Sequence, residues 1–439
     1  MVASVRGRAF LVGGAVRDAI LGLDVKDFDI EVFGVEPEKL KNVVASKYAF
    51  KECGVSFGVL KLNDFDIDIS LPRRESKTGL GHRAFEIESD PYLSVEEAAS
   101  RRDFTINAIY RDILDESFLD PYGGMKDLKD KILRHVSPKF VEDPLRVLRG
   151  AQFVARFSLN PAMETVSLCK AISMESLAAE RVFEEWSKLL LKGVEISKGL
   201  EFLRLTRWIG YFPELERLIG CRQHREHHPE GDVWEHTKCC MDAFAKNRIG
   251  DSHEDLVVGF AVLCHDFGKP LCTRFDKEKG YIRSCGHDQE GEIPTRSFLR
   301  RLTNEERFID EVIPLVKCHM RPFALWKSHS GEGAVRRLAA HVGRIDRLLR
   351  VCRADDLGRP PYPSNPEPLE YLAAEAERLN VKFRKPAMIF RGRDLVDRGY
   401  KPGPAFKKIL DKMYECQLDG KFHDHKSAVV YFEKNFAVQ

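Results

Sequence analysis

Residues 26–33 read KDFDIEVF and residues 63–70 read NDFDIDIS. In the first stretch Asp27, Asp29 and Glu31 alternate with Phe28, Ile30 and Val32. In the second, Asp64, Asp66 and Asp68 repeat the pattern. Residues i and i+2 of a strand share a face, so Asp27 and Asp29 point together. If Asp66 and Asp68 lie on a neighbouring strand, the acids repel one another, and bound cations relieve the repulsion. Hard oxygen ligands favour magnesium. Two such ions, roughly 3.5–4 Å apart, can activate an attacking hydroxyl and stabilise a leaving oxygen in phosphoryl transfer. Either stretch alone reads more readily as a solvated strand face, acid outward and apolar inward. The glycine turn upstream shifts that balance. LVGGAVRDAILG at 11–22 sets Gly13 and Gly14 between a strand and a helix, where the backbone can approach an anion. Arg17 adds a charged contact suited to a triphosphate.

A second group of residues centres on VLCHDFGKP at 262–270. His265 and Asp266 stand in an apolar, helix-like run, where a charged pair is costly unless paired or bound to metal. His236, His287, His319 and Asp355 are spread around them in the chain. Nitrogen and carboxylate ligands suit manganese, nickel, cobalt, iron or zinc. His224, His227 and His228, in CRQHREHHPEGDVWEH, read as residues of a solvated loop.

The elements that must carry these groups follow from periodicity. RAFLVGG, FDIEVF and FDIDIS alternate as strands, and AVRDAILG is a helix. SVEEAASRR at 94–102 is a helix with Ser94 as cap and Glu97 three residues on. FTINAIYRDIL has strand character. From about residue 138 the pattern becomes helical in LRVLRGAQFVARF, ERVFEEWSKLLLK and KGLEFLRLTRWI. GRPPYPSNPEP at 358–368 is a proline-rich loop, and Pro402 and Pro404 are placed to start a tail helix. The chain has 439 residues, 43% hydrophobic and 31% charged, which implies a globular protein of several domains. The net charge of +2 excludes a general polycation, so nucleic-acid contacts require local basic patches. The eleven cysteines contain no CxxC and suit a reducing compartment. No apolar run of about 18 residues implies a membrane span, and the short, basic N-terminus implies no signal sequence. The cytoplasm is the expected location.

GGAVRD, DFD, RRDFTINA at 101–108 and EDPLRVLR at 142–149 resemble, in order, the motifs of class II tRNA nucleotidyltransferases and bacterial poly(A) polymerases. The resemblance spans residues 8–215. It implies an α+β multidomain protein with a polymerase-β-like α/β head at 1–137 and a helical neck at 138–220. It makes Asp27 and Asp29 the magnesium-binding pair and Asp68 a third carboxylate. Gly13, Gly14 and Arg17 hold the nucleotide, with Arg102, Asp103 and Asn107 around its sugar and triphosphate. Asp143 and Arg146, three apart on a helix, act as a protein template that reads C or A, and Arg149 extends that face. A plain helix salt bridge is the ordinary reading of that pair.

The order of the histidines and acids resembles the HD superfamily of metal-dependent phosphohydrolases, across about 221–360. That resemblance implies a divalent transition metal on His236, His265, Asp266 and Asp355. It places His287 and His319 at a second metal and Lys269 at a phosphate. The implied activity is removal of phosphate or opening of a 2′,3′-cyclic phosphate, and a degenerate scaffold is the alternative. Residues 361–439 form the tail, where RGYKPGPAFKKIL resembles the C-terminal region of the CCA-adding enzymes.

Two basic stripes could meet the tRNA acceptor arm by shape and charge. One is Arg344, Arg347, Arg350 and Arg353. The other is Lys407, Lys408 and Lys412, which the tail resemblance favours. The segment from Arg73 to about Ser94 suits a loop for switching from C to A. The expected activity is template-independent addition of CCA to tRNA from CTP and ATP, with no membrane and no obligate protein partner. Poly(A) synthesis or addition of A alone is the alternative within the class. A phosphohydrolase with an RNA-binding head is the alternative outside it.

Overall fold

Strand β1 (Arg8–Val12) runs into the glycine turn and on into helix α1 (Gly14–Ile20), in the order the sequence dictates. The computed structural model describes residues 1–53, 59–77 and 85–436. These fall into two compact units, Met1–Tyr211 and Phe212–Gln439. The class is the α+β, multidomain one expected.

In the first unit, β2 (Phe28–Phe33) follows α1, and α2 (Pro37–Ala45) precedes β3 (Phe50–Cys53), β4 (Val59–Leu62) and β5 (Ile67–Ser70). Further along come β6 (Arg73–Lys77), β7 (Phe85–Ser89), β8 (Tyr110–Asp112) and β9 (Phe118–Leu119). One mixed sheet takes the order β3-β4-β5-β2-β1-β8-β9. Its β2–β5 pair is parallel, and Asp29 lies opposite Asp68 in register. Strands β6 and β7 pair as a separate antiparallel hairpin. The part of the expected C-to-A switching loop at 78–84 lies outside the described residues.

The sheet has a core on each face. Val32, Leu60, Leu62 and Ile69 pack with Leu40 and Val44 of α2. Phe10, Val12, Phe33 and Tyr110 pack with Ala98 and Ala99 of α3 (Val95–Ser100). Ser94 caps α3 as anticipated: its Oγ accepts from Glu97 N at 3.2 Å, and Glu97 Oε2 accepts from Ser94 N at 3.1 Å. FTIN departs from the strand expected of it. Thr105–Asn107 is a 3-10 turn, because Asp103 Oδ1 accepts from both Phe104 N (2.8 Å) and Asn107 Nδ2 (2.9 Å) and curls the chain. Beyond α4 (Gly124–Lys129), the long helices are α5 (Leu145–Phe157), α6 (Met163–Lys170), α7 (Ala179–Lys192) and α8 (Ile196–Leu205). Helix α5 packs on α7 and α8.

The second unit is mainly helical. Helices Val233–Lys246, Ser252–Cys264, Glu306–Cys318 and Ile345–Leu357 pack together. Toward the C-terminus Phe390, Leu395, Met413, Phe422 and Phe432 form a smaller core. Pro404 opens helix Pro404–Leu418, as its position predicts. No helix among the described residues is long and apolar enough to cross a membrane.

Candidate functional site

The face of β2 that carries the acids runs from solvent into the core. Asp29 is exposed, Glu31 is 1% exposed and Phe33 is buried. The three acids meet different fates. Glu31 binds Arg101 at 3.1 Å and Arg102 at 3.4 Å, so it carries its own counter-charge. Asp29 feels the Arg102 charge but makes no ion pair of that kind among the described residues. Partial desolvation raises its carboxyl, Arg102 opposes this, and the charges of Asp68, Asp27 and Glu31 raise it further. Asp68 Oδ1 is buried without a hydrogen bond, with Lys61 Nζ 3.8 Å away. This is a crowded set of oxygen donors short of positive charge.

Gly13 sits beside that set with φ of 69°, in the left-handed region. A Cβ there would lie 3.1 Å from Arg102 Nη1 and 3.5 Å from Asp29 Oδ2. The glycine therefore lets the turn come against both groups. The adjoining cleft, about 630 Å³, is lined by Gly13, Gly14, Arg17, Asp29, Arg102, Asp103, Asn107, Asp143, Arg146 and Arg149. Asp27 and Asp68 stand outside its lining.

A chain of polar contacts fixes the cleft wall. Arg17 Nε donates to Asp18 (2.8 Å) and Arg17 Nη1 to Asn107 Oδ1 (2.6 Å). Asn107 donates to Asp103, and Arg149 Nε donates to Asp103 Oδ2 at 2.8 Å. Arg17 also stacks 4.6 Å from the centre of the Phe157 ring. Burial pulls the Arg17 guanidinium below its ordinary value. Burial would raise the Asp103 carboxyl, but Arg149, Asn107 and Phe104 N–H outweigh it and hold the carboxyl low.

Asp143 and Arg146 line the same cleft but do not share a helix face. Asp143 is extended (φ −122°, ψ 103°), because the following Pro144 excludes the helical conformation. Its Oδ1 accepts from Leu145 N at 3.0 Å and its Oδ2 from Arg181 at 3.0 Å. Arg146 is buried and donates to Lys139 O (2.9 Å) and Arg101 O (2.5 Å). Arg181 and Arg101 were not singled out in the sequence. Arg181 lies 38 residues from its partner, a pairing no local pattern shows.

In the second unit, all six anticipated ligands converge. His236 Nε2 is 3.1 Å from Asp355 Oδ1. Asp266 bridges the set: its Oδ2 is 3.3 Å from His265 Nε2 and 3.7 Å from His236 Nε2, and its Oδ1 is 3.4 Å from His287 Nε2. His236, His265 and Asp355, with Cys240, form one group of potential ligand atoms, and Asp266, His287 and His319 form another. Cys240 was not foreseen. Lys269 Nζ binds Asp266 at 2.7 Å and Gln223 at 2.6 Å.

The imidazole tautomers suit metal ligation. His265, His287 and His319 place Nδ1 at 2.7, 2.8 and 2.6 Å from the carbonyl oxygens of Val262, Ser284 and Val316. Each Nδ1–H donates to its carbonyl, so each Nε2 turns a lone pair to the centre. His287 Nε2 and His319 Nε2 then face each other at 3.1 Å, which a cation between them would relieve. His265 Nε2 is buried without a hydrogen bond. Burial, with His287 and His265 nearby, pushes His319 down to about 4, so it stays neutral. His236 is the exception. Burial disfavours its charge, but Cys240, Asp355 and Glu230 hold it above its ordinary value. That pocket favours a positive charge, which a proton or a metal ion can supply.

A cavity of about 460 Å³ adjoins this cluster, lined by Asp266, Lys269, His287, His319 and Asp355. His224, His227 and His228 line it too. The solvated-loop reading therefore fails for His228, whose Nδ1 lies 2.8 Å from the Glu230 carboxylate. Of the basic stripes, Arg344, Arg347 and Arg350 are tied to Asp346, Glu254, Glu311 and Asp255. Lys407, Lys408 and Lys412 are exposed.

The Poly A polymerase head domain family matches residues 9–134. A "Multifunctional CCA protein" of Xylella fastidiosa is 36% identical over 373 residues, covering 80% of this chain and 84% of the relative. This chain belongs to the multifunctional CCA protein family. A relative of the same description from Alkalilimnicola ehrlichii is 34% identical and covers 89% of this chain and 94% of its own length. The crystal structure of the Bacillus stearothermophilus CCA-adding enzyme in complex with CTP shares the fold. Its TM-score is 0.68 at 23% identity, over 99% of this chain and 95% of that one.

The nucleotidyltransferase head implies a divalent metal. The residues present fit one: the in-register Asp29 and Asp68, the Asp68 oxygen buried without a hydrogen bond and the neighbouring Asp27 form an all-oxygen donor set.

Two outcomes follow for the first unit. Gly13→Ala combines left-handed strain with a contact on Arg102, and should weaken triphosphate binding at least about tenfold by calorimetry. The depressed Asp103 carboxyl stabilises the fold fully above about pH 4 and loses that contribution as pH falls through its lower folded value. Arg149→Ala should therefore lower the urea midpoint at pH 7 and blunt its decline on acidification.

Proposed function

We propose that this chain adds CCA to the 3′ end of tRNA from CTP and ATP, without a nucleic-acid template, in a cytoplasmic setting. The observation that carries this is the Asp29–Asp68 pairing at the edge of an arginine-rich cleft. The names of its relatives and the CTP bound in a protein of the same fold support it. Asp27, Asp29 and Asp68 would hold magnesium, which supplies charge neutralisation and activation of the attacking hydroxyl. The Gly13–Gly14 turn admits the triphosphate, and Arg17, Arg102 and Arg149 offset its charge. Asn107 and Asp103 keep Arg17 and Arg149 in place, and Glu31 holds Arg102. Asp143, held by Leu145 N–H and Arg181 at the cleft wall, presents a carboxylate that accepts from an exocyclic amine. Arg146, fixed by two backbone carbonyls, offers its remaining N–H to a ring nitrogen or carbonyl. Together they select the base.

The chain reads as head, neck, HD domain and tail in order, and the histidine–aspartate cluster of the second unit supports a phosphohydrolase for phosphate or 2′,3′-cyclic phosphate ends. A divalent transition metal on His236, His265, Asp266 and Asp355 would supply Lewis-acid chemistry, with His287 and His319 toward a second ion. Lys269 lines the cavity where a phosphate would sit. The exposed Lys407, Lys408 and Lys412 are the better candidates for tRNA phosphates, since the other stripe is largely consumed by acids.

The shared head with poly(A) polymerases keeps one rival reading in play. A tRNA lacking its last three nucleotides separates the two. With CTP alone it should gain two residues, and with CTP and ATP three, sized at single-nucleotide resolution. A long ladder with ATP alone would establish poly(A) synthesis instead. Asp29→Ala should reduce addition by a factor of at least about 1,000, and full activity in that variant would refute the metal site. His265→Ala with Asp266→Ala should abolish phosphohydrolysis of a cyclic phosphate and spare addition. Loss of both with the fold intact would show that the two activities are not separable.

A further inference from the structure

The loop before helix Val233–Lys246 contains an acid that none of the roles above uses. The Glu230 side chain is only 2% exposed, although Pro229 and Gly231 beside it are exposed. Its Oε1 lies 2.8 Å from His236 Nδ1 and 2.8 Å from His228 Nδ1. His236 itself has no exposed surface, and its other nitrogen faces Asp355 and Asp266.

These contacts define what His236 can do. A ring that donates Nδ1–H to a carboxylate is locked as the tautomer with its lone pair on Nε2, and it cannot swing. His265, His287 and His319 give their Nδ1–H to neutral backbone carbonyls. His236 has a carbonyl nearby too, Gly358 O at 3.2 Å, but the carboxylate is closer and charged. A carboxylate acceptor raises the basicity of the ligating nitrogen. The lock matters because Cys240 Sγ lies 3.4 Å from His236 Nε2, a competing partner for a ring free to turn. His228 completes the arrangement by donating to the same Glu230 oxygen, which ties the loop to the ligand.

We propose that Glu230, anchored by His228, is the positioning residue that orients His236 and sets the metal affinity of the histidine–aspartate centre. This rests on the metal reading given above for that centre.

Full-length protein carrying Asp29→Ala, which removes the head's metal site, is titrated with Co2+ against a competing chelator. Visible absorption reports the ligand set. Co2+ should bind in this background and fail to bind after His265→Ala with Asp266→Ala, since Asp266 touches both groups of ligands. Glu230→Ala should weaken binding by about 10–100-fold and shift the absorption bands. Glu230→Gln, which keeps an acceptor oxygen without the charge, should recover part of the loss, and His228→Ala should cost less than either. Circular dichroism of the metal-free variants checks their folding. If Glu230→Ala does not fold, the near-isosteric Glu230→Gln decides, and it must still bind more weakly than the background. Equal affinity in a folded Glu230 variant overturns the role of Glu230 while leaving the centre intact. Absence of Co2+ binding in the background, or its persistence after His265→Ala with Asp266→Ala, overturns the metal reading and this inference with it.

Discussion

The parallel pairing of β2 with β5 is the constraint on which the head depends. It sets Asp29 opposite Asp68, on strands that lie about 4.8 Å apart. Two like charges at about 4 Å repel by roughly 4 kcal/mol at an effective dielectric of about 20. A parallel pair also needs a crossover, and here α2, β3 and β4 provide it. The intervening chain therefore delivers the second carboxylate. Deeper along the same face of β2, a third acid would compound the repulsion with no solvent to screen it. Glu31 avoids this by binding Arg101 and Arg102. One alternating pattern thus yields a cation-seeking cluster at the exposed end of the strand and an internal ion pair at the buried end.

The arginines of the cleft face the opposite difficulty. A guanidinium near a polyanion must be held in position without being neutralised completely. Arg17 and Arg149 are joined through Asn107 and Asp103, so one buried carboxylate and one amide set the geometry of two cations. Buried ion pairs contribute little net stability because desolvation opposes them. Their value here is positional, since the chain links α1, the turn at 105–107 and α5. Arg146 is fixed differently, by backbone carbonyls at Lys139 and Arg101, which leaves its full charge available.

What could be read in the sequence was local. The two-residue alternation identified β2 and β5, and Ser94 with Glu97 marked the start of α3. The register that brings Asp29 to Asp68 is a property of the pairing and has no local signal. Asp143 was misplaced by counting helical spacing through Pro144, although a residue before proline is biased away from the helix. Asp346 beside Arg344 already pointed to a salt-bridged stripe, but the partners of Arg347 and Arg350, namely Glu254, Glu311 and Asp255, lie tens of residues away and left no local signal. Cys240 did carry a local signal, since it stands four residues after His236 on one helix and so shares its face, whereas the loop geometry that turns Glu230 back to His236 has none.

The histidine cluster shows how helix ends can prepare ligands. A helix leaves its last carbonyls without intrahelical donors. His265 directly follows helix Ser252–Cys264, and His319 directly follows Glu306–Cys318. Each turns back to the carbonyl three residues earlier, so one hydrogen bond satisfies an orphan acceptor and fixes the tautomer. Further into the helix, the same side chain would find that carbonyl already engaged by a backbone N–H. Further beyond the end, it would lose the register that aims Nε2 inward. His236 lies within a helix, where no such carbonyl is free at its own turn. Its orientation must come from outside the helix, and the acceptors at its Nδ1 are accordingly Glu230 from the preceding loop and Gly358 from far along the chain.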